Sequence, residues 1–202
     1  MINRIARKIS YWCMEKLQLK KEEQEVVQYG TEVFLDGLLK ILVLIFVGIC
    51  VGRLQEVVLA LLGFCSLRYW AGGMHCKTSL GCLGTMIAIC LVSVYAAPYF
   101  TAAPDWIVLF TLILEYIILY FMAPGQTKRN PICDYTTYFR KRVGAFLWLA
   151  LEYIVIYVMR DKVARWILII SILFEIFSIL PCRKNENFQR RFFYDKQKLG
   201  ED

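Results

Sequence analysis

Six long apolar blocks separated by short polar stretches constrain the fold of this chain more than any other feature. They run Val33–Val51, Leu54–Trp70, Leu80–Phe100, Trp106–Ala123, Val143–Met159 and Val163–Leu180. Each is close to the ~20 residues an α-helix needs to cross a hydrocarbon core ~30 Å thick. Of the 202 residues 58% are hydrophobic, and the 20% that are charged are confined to clusters between the blocks instead of being spread along them. That pattern excludes a soluble enzyme, a disordered hub and a secreted disulfide scaffold. The expected architecture is all-α: a polytopic membrane protein with six transmembrane helices preceded by an N-terminal amphipathic helix. We expect one domain over residues 1–202, in which 1–30 are cytosolic or interfacial, 31–182 form the six-helix bundle and 183–202 a basic cytosolic tail.

The formal charge of +7 would also serve a nucleic-acid-binding protein, so the position of the charges decides what the total means. With both termini inside, nineteen of the 24 Lys and Arg residues fall on the inner side. Only Arg53, Arg160, Lys162 and Arg165 fall outside, and Lys40 lies within the first span. This is the positive-inside distribution. It makes the lipid bilayer a partner and leaves no role for nucleic acid.

Met1 to Lys21 lack the uninterrupted apolar core and small-residue cleavage site of a signal peptide. Ile5, Ile9, Trp12, Cys13, Leu17 and Leu19 recur near helical spacing among Arg4, Lys8, Lys16 and Lys20. Two placements follow for such a helix: flat on the inner leaflet, or packed on the cytosolic face of the bundle. Of the eight cysteines, Cys50, Cys65 and Cys90 lie within spans, and Cys13, Cys76, Cys82, Cys133 and Cys182 lie at or near the cytosolic side. Thiols stay reduced there, and most are read as small apolar packing residues.

The chemistry-bearing stretch lies between the second and third spans, from Arg68 through Gly72, Gly73, Met74, His75, Cys76, Lys77, Thr78 and Ser79 to Cys82. It holds the single histidine of the protein and two cysteines, with a glycine pair able to end one helix and Thr78 and Ser79 able to cap the next. A cysteine peptidase needs a thiolate and an imidazole that takes its proton and later supplies one to the leaving amine. His75 and Cys82 could fill those roles. Seven residues of unbroken helix rise ~10.5 Å, too far for a direct bond, so a break between them is expected. A third helix starting near Ser79 would put Cys82 in its first turn, where the helix dipole favours a thiolate. Two plainer readings stand beside this one. His75 could be a polar anchor at the interface, or a metal ligand with Cys76 and Cys82, although adjacent His and Cys project apart and no fourth ligand is obvious unless Cys133 is brought in. No metal or other cofactor is expected.

The pattern Arg68…Gly73-x-His75-x6-Cys82 resembles the active-site region of the accessory gene regulator B (AgrB) family, membrane cysteine peptidases of Gram-positive quorum sensing. A second block, from Ala123, Pro124 and Gly125 through Lys128, Arg129 and Asn130 to Ile132, is similar to that family's basic loop. The chain's size, hydropathy profile and Arg140-Lys141-Arg142 run extend the resemblance over essentially its whole length. It implies a multi-pass protein of the bacterial cell membrane with a cytosolic site and His75 and Cys82 as the catalytic dyad. The substrate implied is a small AgrD-like propeptide, cleaved to release its C-terminal tail and closed into a thiolactone or lactone precursor of an autoinducing peptide. Arg68 and Gly73 are carried as catalytic support, with Arg68 a candidate oxyanion partner. Lys128, Arg129, Arg140, Lys141 and Arg142 are candidates for docking an acidic tail, or else serve only to set topology and hold anionic lipid. A second copy of the chain is carried as a candidate partner.

Glu115 and Glu152 fall near mid-span, Glu175 and Asp36 toward the inner third and Glu32 at the inner edge. Charges at such depth face the bundle interior or water, and pairing between helices with Lys40 or Arg68 is their expected role. Orienting His75 is the alternative. No glycine-rich phosphate loop is present, so ring closure has to draw on the bond being cut. The competing function is a non-enzymatic small transporter or peptide-export component, which should show repeats or paired broken helices at mid-membrane.

Overall fold

The structure is a computed structural model that describes residues 8, 11, 12, 16, 21–74, 76, 78–125 and 134–180. The described part is helical: α1 (Lys21–Cys50), α2 (Leu54–Ala71), α3 (Ser79–Ala96), a 3-10 turn (Ala97–Phe100), α4 (Asp105–Met122), α5 (Tyr135–Val158) and α6 (Lys162–Ile179). Most of the amphipathic segment, the tail 183–202, and the sequence-predicted site residues His75, Lys128 and Arg129 lie outside the described residues. Lys8, Tyr11, Trp12 and Lys16 are helical and exposed, so a stripe at four-residue spacing carries Lys8, Trp12 and Lys16 together.

Local chemistry sets the boundaries. The side chains of Thr78, Asp134 and Asp161 cap α3, α5 and α6 by accepting from the backbone amides of Gly81, Thr137 and Val163. The Thr137 amide that bonds Asp134 also holds this exposed carboxyl below its ordinary pKa. α1 turns into α2 through Gly52, whose φ of 67° suits glycine. α2 ends at Gly72 and Gly73, both at positive φ.

Three segments are long and apolar enough to cross a membrane: Glu25–Cys50, Ser79–Phe100 and Asp105–Met122. The other helices coincide with the remaining apolar blocks and carry charges of their own, with Glu56 and Arg68 in α2, Arg140 to Arg142 and Glu152 in α5, and Lys162, Arg165 and Glu175 in α6. They sit toward the middle of the bundle. α2 packs against α1, α3, α5 and α6, and its Gly63 lets α6 come so close that a Cβ there would lie 2.5 Å from Ser171 Oγ. Leu67, Ala71, Ile167, Ile169, Ile172, Ile176 and Ile179 are fully buried. By contrast Phe34, Phe46, Phe110, Phe121, Leu147 and Ile154 point outward, as lipid-facing residues do.

Contacts at the two ends show how the helices run. At one end, the residues that follow α2 bond those that follow α4 and the last turn of α6, and the first turns of α5 bond the end of α4. At the other, Asp105 pairs with Arg165 at 3.4 Å and the Phe100 and Trp166 rings meet at a tilt, their centroids 5.2 Å apart. A cavity of about 730 Å³ lies between α4 and α5 at that second end, lined in part by Asp105, Tyr116, Tyr153 and Arg165.

Candidate functional site

The first end carries the residues singled out in the sequence. Gly72 pairs with Gly125 in a parallel bridge, and the Gly125 amide donates to the Ala71 carbonyl at 2.7 Å. This joins the two sequence blocks at one seam, through residues 53 positions apart. A Cβ on Gly72 would lie 2.4 Å from the Gly125 carbonyl oxygen, so the seam closes only around glycine. Trp70 lies against α5, where a Cβ on Gly144 would stand 2.2 Å from its ring.

Arg68, in the last turn of α2, organises the next layer. Its guanidinium donates to Glu175 Oε2 at 2.8 Å, to Ser178 Oγ at 3.1 Å and to the Met74 carbonyl, and sits over the Phe64 ring. The Met74 amide donates to the Ser178 carbonyl at 3.0 Å. Gly73 is buried, with φ 148°, and its missing Cβ would fall 2.6 Å from Ser178 Oγ and 2.8 Å from Arg68 Nη1. These contacts commit Arg68 to holding the loop and to pairing with Glu175. Interhelical pairing was the expected role of that buried acid, whereas Ser178 carried no signal beyond lying one helical turn after it. Lys40, the other cation considered, bonds Asp36 on its own helix.

Cys82 lies in the first turn of α3, half-buried, its amide donating to the Thr78 carbonyl at 3.1 Å. The first residue of α3, Ser79, donates its hydroxyl to Asp36 of α1, which fixes the start of the helix against its neighbour. Cys76 approaches the same helix one turn further on, its sulfur 3.5 Å from Thr85 Oγ1. The break expected between His75 and Cys82 is present, because Cys76 and Thr78 are not helical and α3 begins only at Ser79. The five described cysteines, Cys50, Cys65, Cys76, Cys82 and Cys90, are free thiols. Among the described residues no group of three or more His, Cys, Asp or Glu side chains is placed to hold a metal.

The basic run at the start of α5 divides. Arg140 is exposed, whereas Arg142 donates to the Tyr120 carbonyl at 2.9 Å and to the Tyr138 hydroxyl at 3.3 Å and lies over the Tyr120 ring. Arg142 therefore ties α5 to the end of α4. Deeper in the bundle, Glu152 accepts from Ser66 and Trp148, and Glu115 is fully buried.

A chain whose described residues are helical apart from short connections, with three helices apolar and long enough to span a bilayer, is a membrane protein. The family model for Accessory gene regulator B matches residues 2–179. The chain is 30% identical over 138 residues to an AgrB-like protein of Clostridium perfringens, an alignment covering 65% of this chain and 64% of that one. It is 24% identical over 181 residues to an AgrB-like protein of Clostridium acetobutylicum, covering 90% and 86%. An AgrB-like protein of Listeria monocytogenes is 29% identical over 108 residues, about half of each chain. No solved structure matches. The chain belongs to the accessory gene regulator B family.

Proposed function

We propose that this protein is a membrane cysteine endopeptidase and cyclising acyl transferase of agr-type quorum sensing, acting on a small AgrD-like propeptide. The observation that carries the reading is the seam at Gly72 and Gly125, which brings the loop leading to His75 and the block leading to Lys128 and Arg129 to the same end of the bundle as the first turn holding Cys82. In this reading all six helices cross the bacterial cell membrane, with the junction and both termini on the cytosolic side. The alternation of helix ends and the 19-to-4 split of basic residues support that topology. The helices run unbroken through their described lengths, which favours this reading over a transporter built on broken helices.

The chemistry runs as acyl transfer and calls for no cofactor or metal. His75 takes the Cys82 proton, and the thiolate attacks the scissile carbonyl of the propeptide. The C–N bond breaks, the proton passes from His75 to the departing amine, and a thioester on Cys82 remains. The peptide's own internal thiol or hydroxyl then gives its proton to His75 and attacks that thioester. The ring ester forms, the bond to Cys82 breaks and the thiol is restored. Starting the helix at Ser79 supports Cys82 as nucleophile, because first-turn amides and the helix dipole stabilise a thiolate. Lys128, Arg129, Arg140 and Lys141 dock the acidic tail, while Arg142, bonded to Tyr120, shapes the surface beside them.

Co-expression with an AgrD-like propeptide and mass spectrometry of the products tests the reading. The unaltered protein is expected to give free tail and cyclic peptide, and Cys82→Ser and His75→Ala only intact propeptide. Tail release by both variants would overturn it.

A further inference from the structure

The last helix reaches the junction with two side chains that the acyl-transfer scheme leaves unused. Glu175 is fully buried, and its Oε2 accepts from Arg68 at 2.8 Å and from Ser178 at 3.2 Å. Arg68 continues to the Met74 carbonyl, and the Ser178 carbonyl accepts from the Met74 amide. Both backbone polar groups of Met74 are therefore held, one by α2 and one by α6. Met74 is followed directly by His75. Gly73 closes the arrangement, since its missing Cβ would meet Ser178, Arg68 and Glu175 within 3.1 Å.

Packing alone gives no reason for a carboxylate here. The surrounding core is already closed by Leu67, Ala71, Ile172, Ile176 and Ile179, all fully buried. A buried ion pair adds little net stability over apolar residues of similar volume, but it fixes one geometry. What this pair fixes is the backbone on which His75 is mounted.

We propose that Glu175 and Ser178 are positioning residues for the peptidase reaction, acting through Arg68 and Met74 to set the backbone from which His75 works on Cys82. The inference rests on the dyad reading above. It assigns the last helix a part in catalysis although it contributes no reacting atom.

The test uses the full-length protein in membrane vesicles with an AgrD-like propeptide, reading insertion, propeptide affinity and single-turnover tail release at saturation. Glu175→Ala should slow release about 100-fold while affinity moves less than about 3-fold, the split expected when reacting groups are displaced by about 1 Å. Glu175→Ala leaves Arg68 unpaired and can fail to insert, so the double variant Arg68→Ala/Glu175→Ala, which strands no charge, is decisive. It should insert, bind propeptide and stay about 100-fold slow, no slower than Arg68→Ala alone, because the two residues act as one unit. Ser178→Ala, which removes the hydroxyl's bonds to Arg68 and Glu175 but keeps the backbone bond to Met74, should slow release about 5-fold. Wild-type release by an inserted double variant means that the pair serves only structure and overturns the inference, as does wild-type release by Glu175→Ala together with Ser178→Ala. His75→Ala and Cys82→Ser are measured in parallel. Should those two cleave normally, the dyad falls and this inference with it; should they be inactive while the double variant cleaves normally, this inference alone falls.

Discussion

Arg68 and Glu175 are 107 positions apart in the chain and 2.8 Å apart in space, and Gly73 and Met74 rest on their contact. Pairing them ties the end of the second helix to the end of the sixth. Removing one partner strands the other in the bundle, a loss of about 3–5 kcal/mol for buried pairs, whereas removing both costs far less. The ion pair is therefore better read as a geometric device than as a source of stability.

Gly73 should be intolerant of any side chain. At φ 148° a Cβ is strained, and it would press on Ser178 Oγ and Arg68 Nη1 at 2.6 and 2.8 Å. Gly73→Ala is expected to lower tail release at least ~10-fold, because in the proposed reaction displacing the loop that leads to His75 by a fraction of an ångström is enough to do so. Gly30→Ala, with nothing within 4 Å of its Cβ, should leave release unchanged. Vesicle assays on the two variants side by side check this.

Two cysteines lie near the start of α3, Cys76 just before it and Cys82 in its first turn, and only one should matter for the reaction. Cys76 faces Thr85, while Cys82 occupies the first turn. Cys76→Ala should retain release within about 3-fold, and Cys82→Ser should lose at least ~10³-fold, as removal of an activated nucleophile does. An inactive Cys76→Ala beside an active Cys82→Ala would reverse the assignment.

The basic run should split by function as it does by contact. Arg140→Gln and Lys141→Gln are each expected to weaken propeptide affinity about 2- to 5-fold at low salt, with the effect fading as salt rises, since exposed pairs contribute up to ~1 kcal/mol and are screened. Arg142→Gln should give a loss that salt does not erase, because its bonds to the Tyr120 carbonyl and Tyr138 are internal. Affinity titrations at two ionic strengths separate the cases.

The start of α5 should loosen in acid. The amides that bond Asp134, above all that of Thr137, hold its pKa below the usual carboxylate range. For a carboxyl with a lowered folded pKa, the stabilisation is present above the unfolded value and is lost as pH falls through the folded one. Protection of the Thr137 amide from hydrogen exchange, corrected for its intrinsic rate, should therefore persist to a pH below the ordinary carboxylate range and then fall. Asp134→Asn, still a good cap, should show no such step.

Ring closure should pass through a thioester. Replacing the peptide's internal nucleophile by alanine is expected to trap a hydroxylamine-sensitive adduct on Cys82. Cyclic product formed in oxygen-18 water should carry no label at its ring carbonyl. Label there, with no adduct found on Cys82, would mean hydrolysis followed by condensation.

The helices were legible in the chain because each apolar block encodes its own element: length, hydropathy and the flanking caps at Thr78, Asp134 and Asp161 are local properties. The same holds for the break between Ala71 and Ser79, written in a glycine pair, and for Cys82 in a first turn. Contacts between distant segments were not legible in this way. Charge spacing raised Arg68 as a partner for a buried acid, but Lys40 and several glutamates competed on equal terms, and only the helix packing placed Glu175 at the guanidinium and Lys40 on Asp36. Arg142 looked like its neighbours in the basic run until the fold set it against Tyr120. Ser178 gave no signal at all, since a serine in an apolar helix acquires its meaning from what it faces. In a membrane the sequence by itself decides which segments become helices, because every backbone polar group must be satisfied within its own segment. Which faces meet, and so which loop is held and by what, is decided by side-chain fit between helices, and that exists only in the packed bundle.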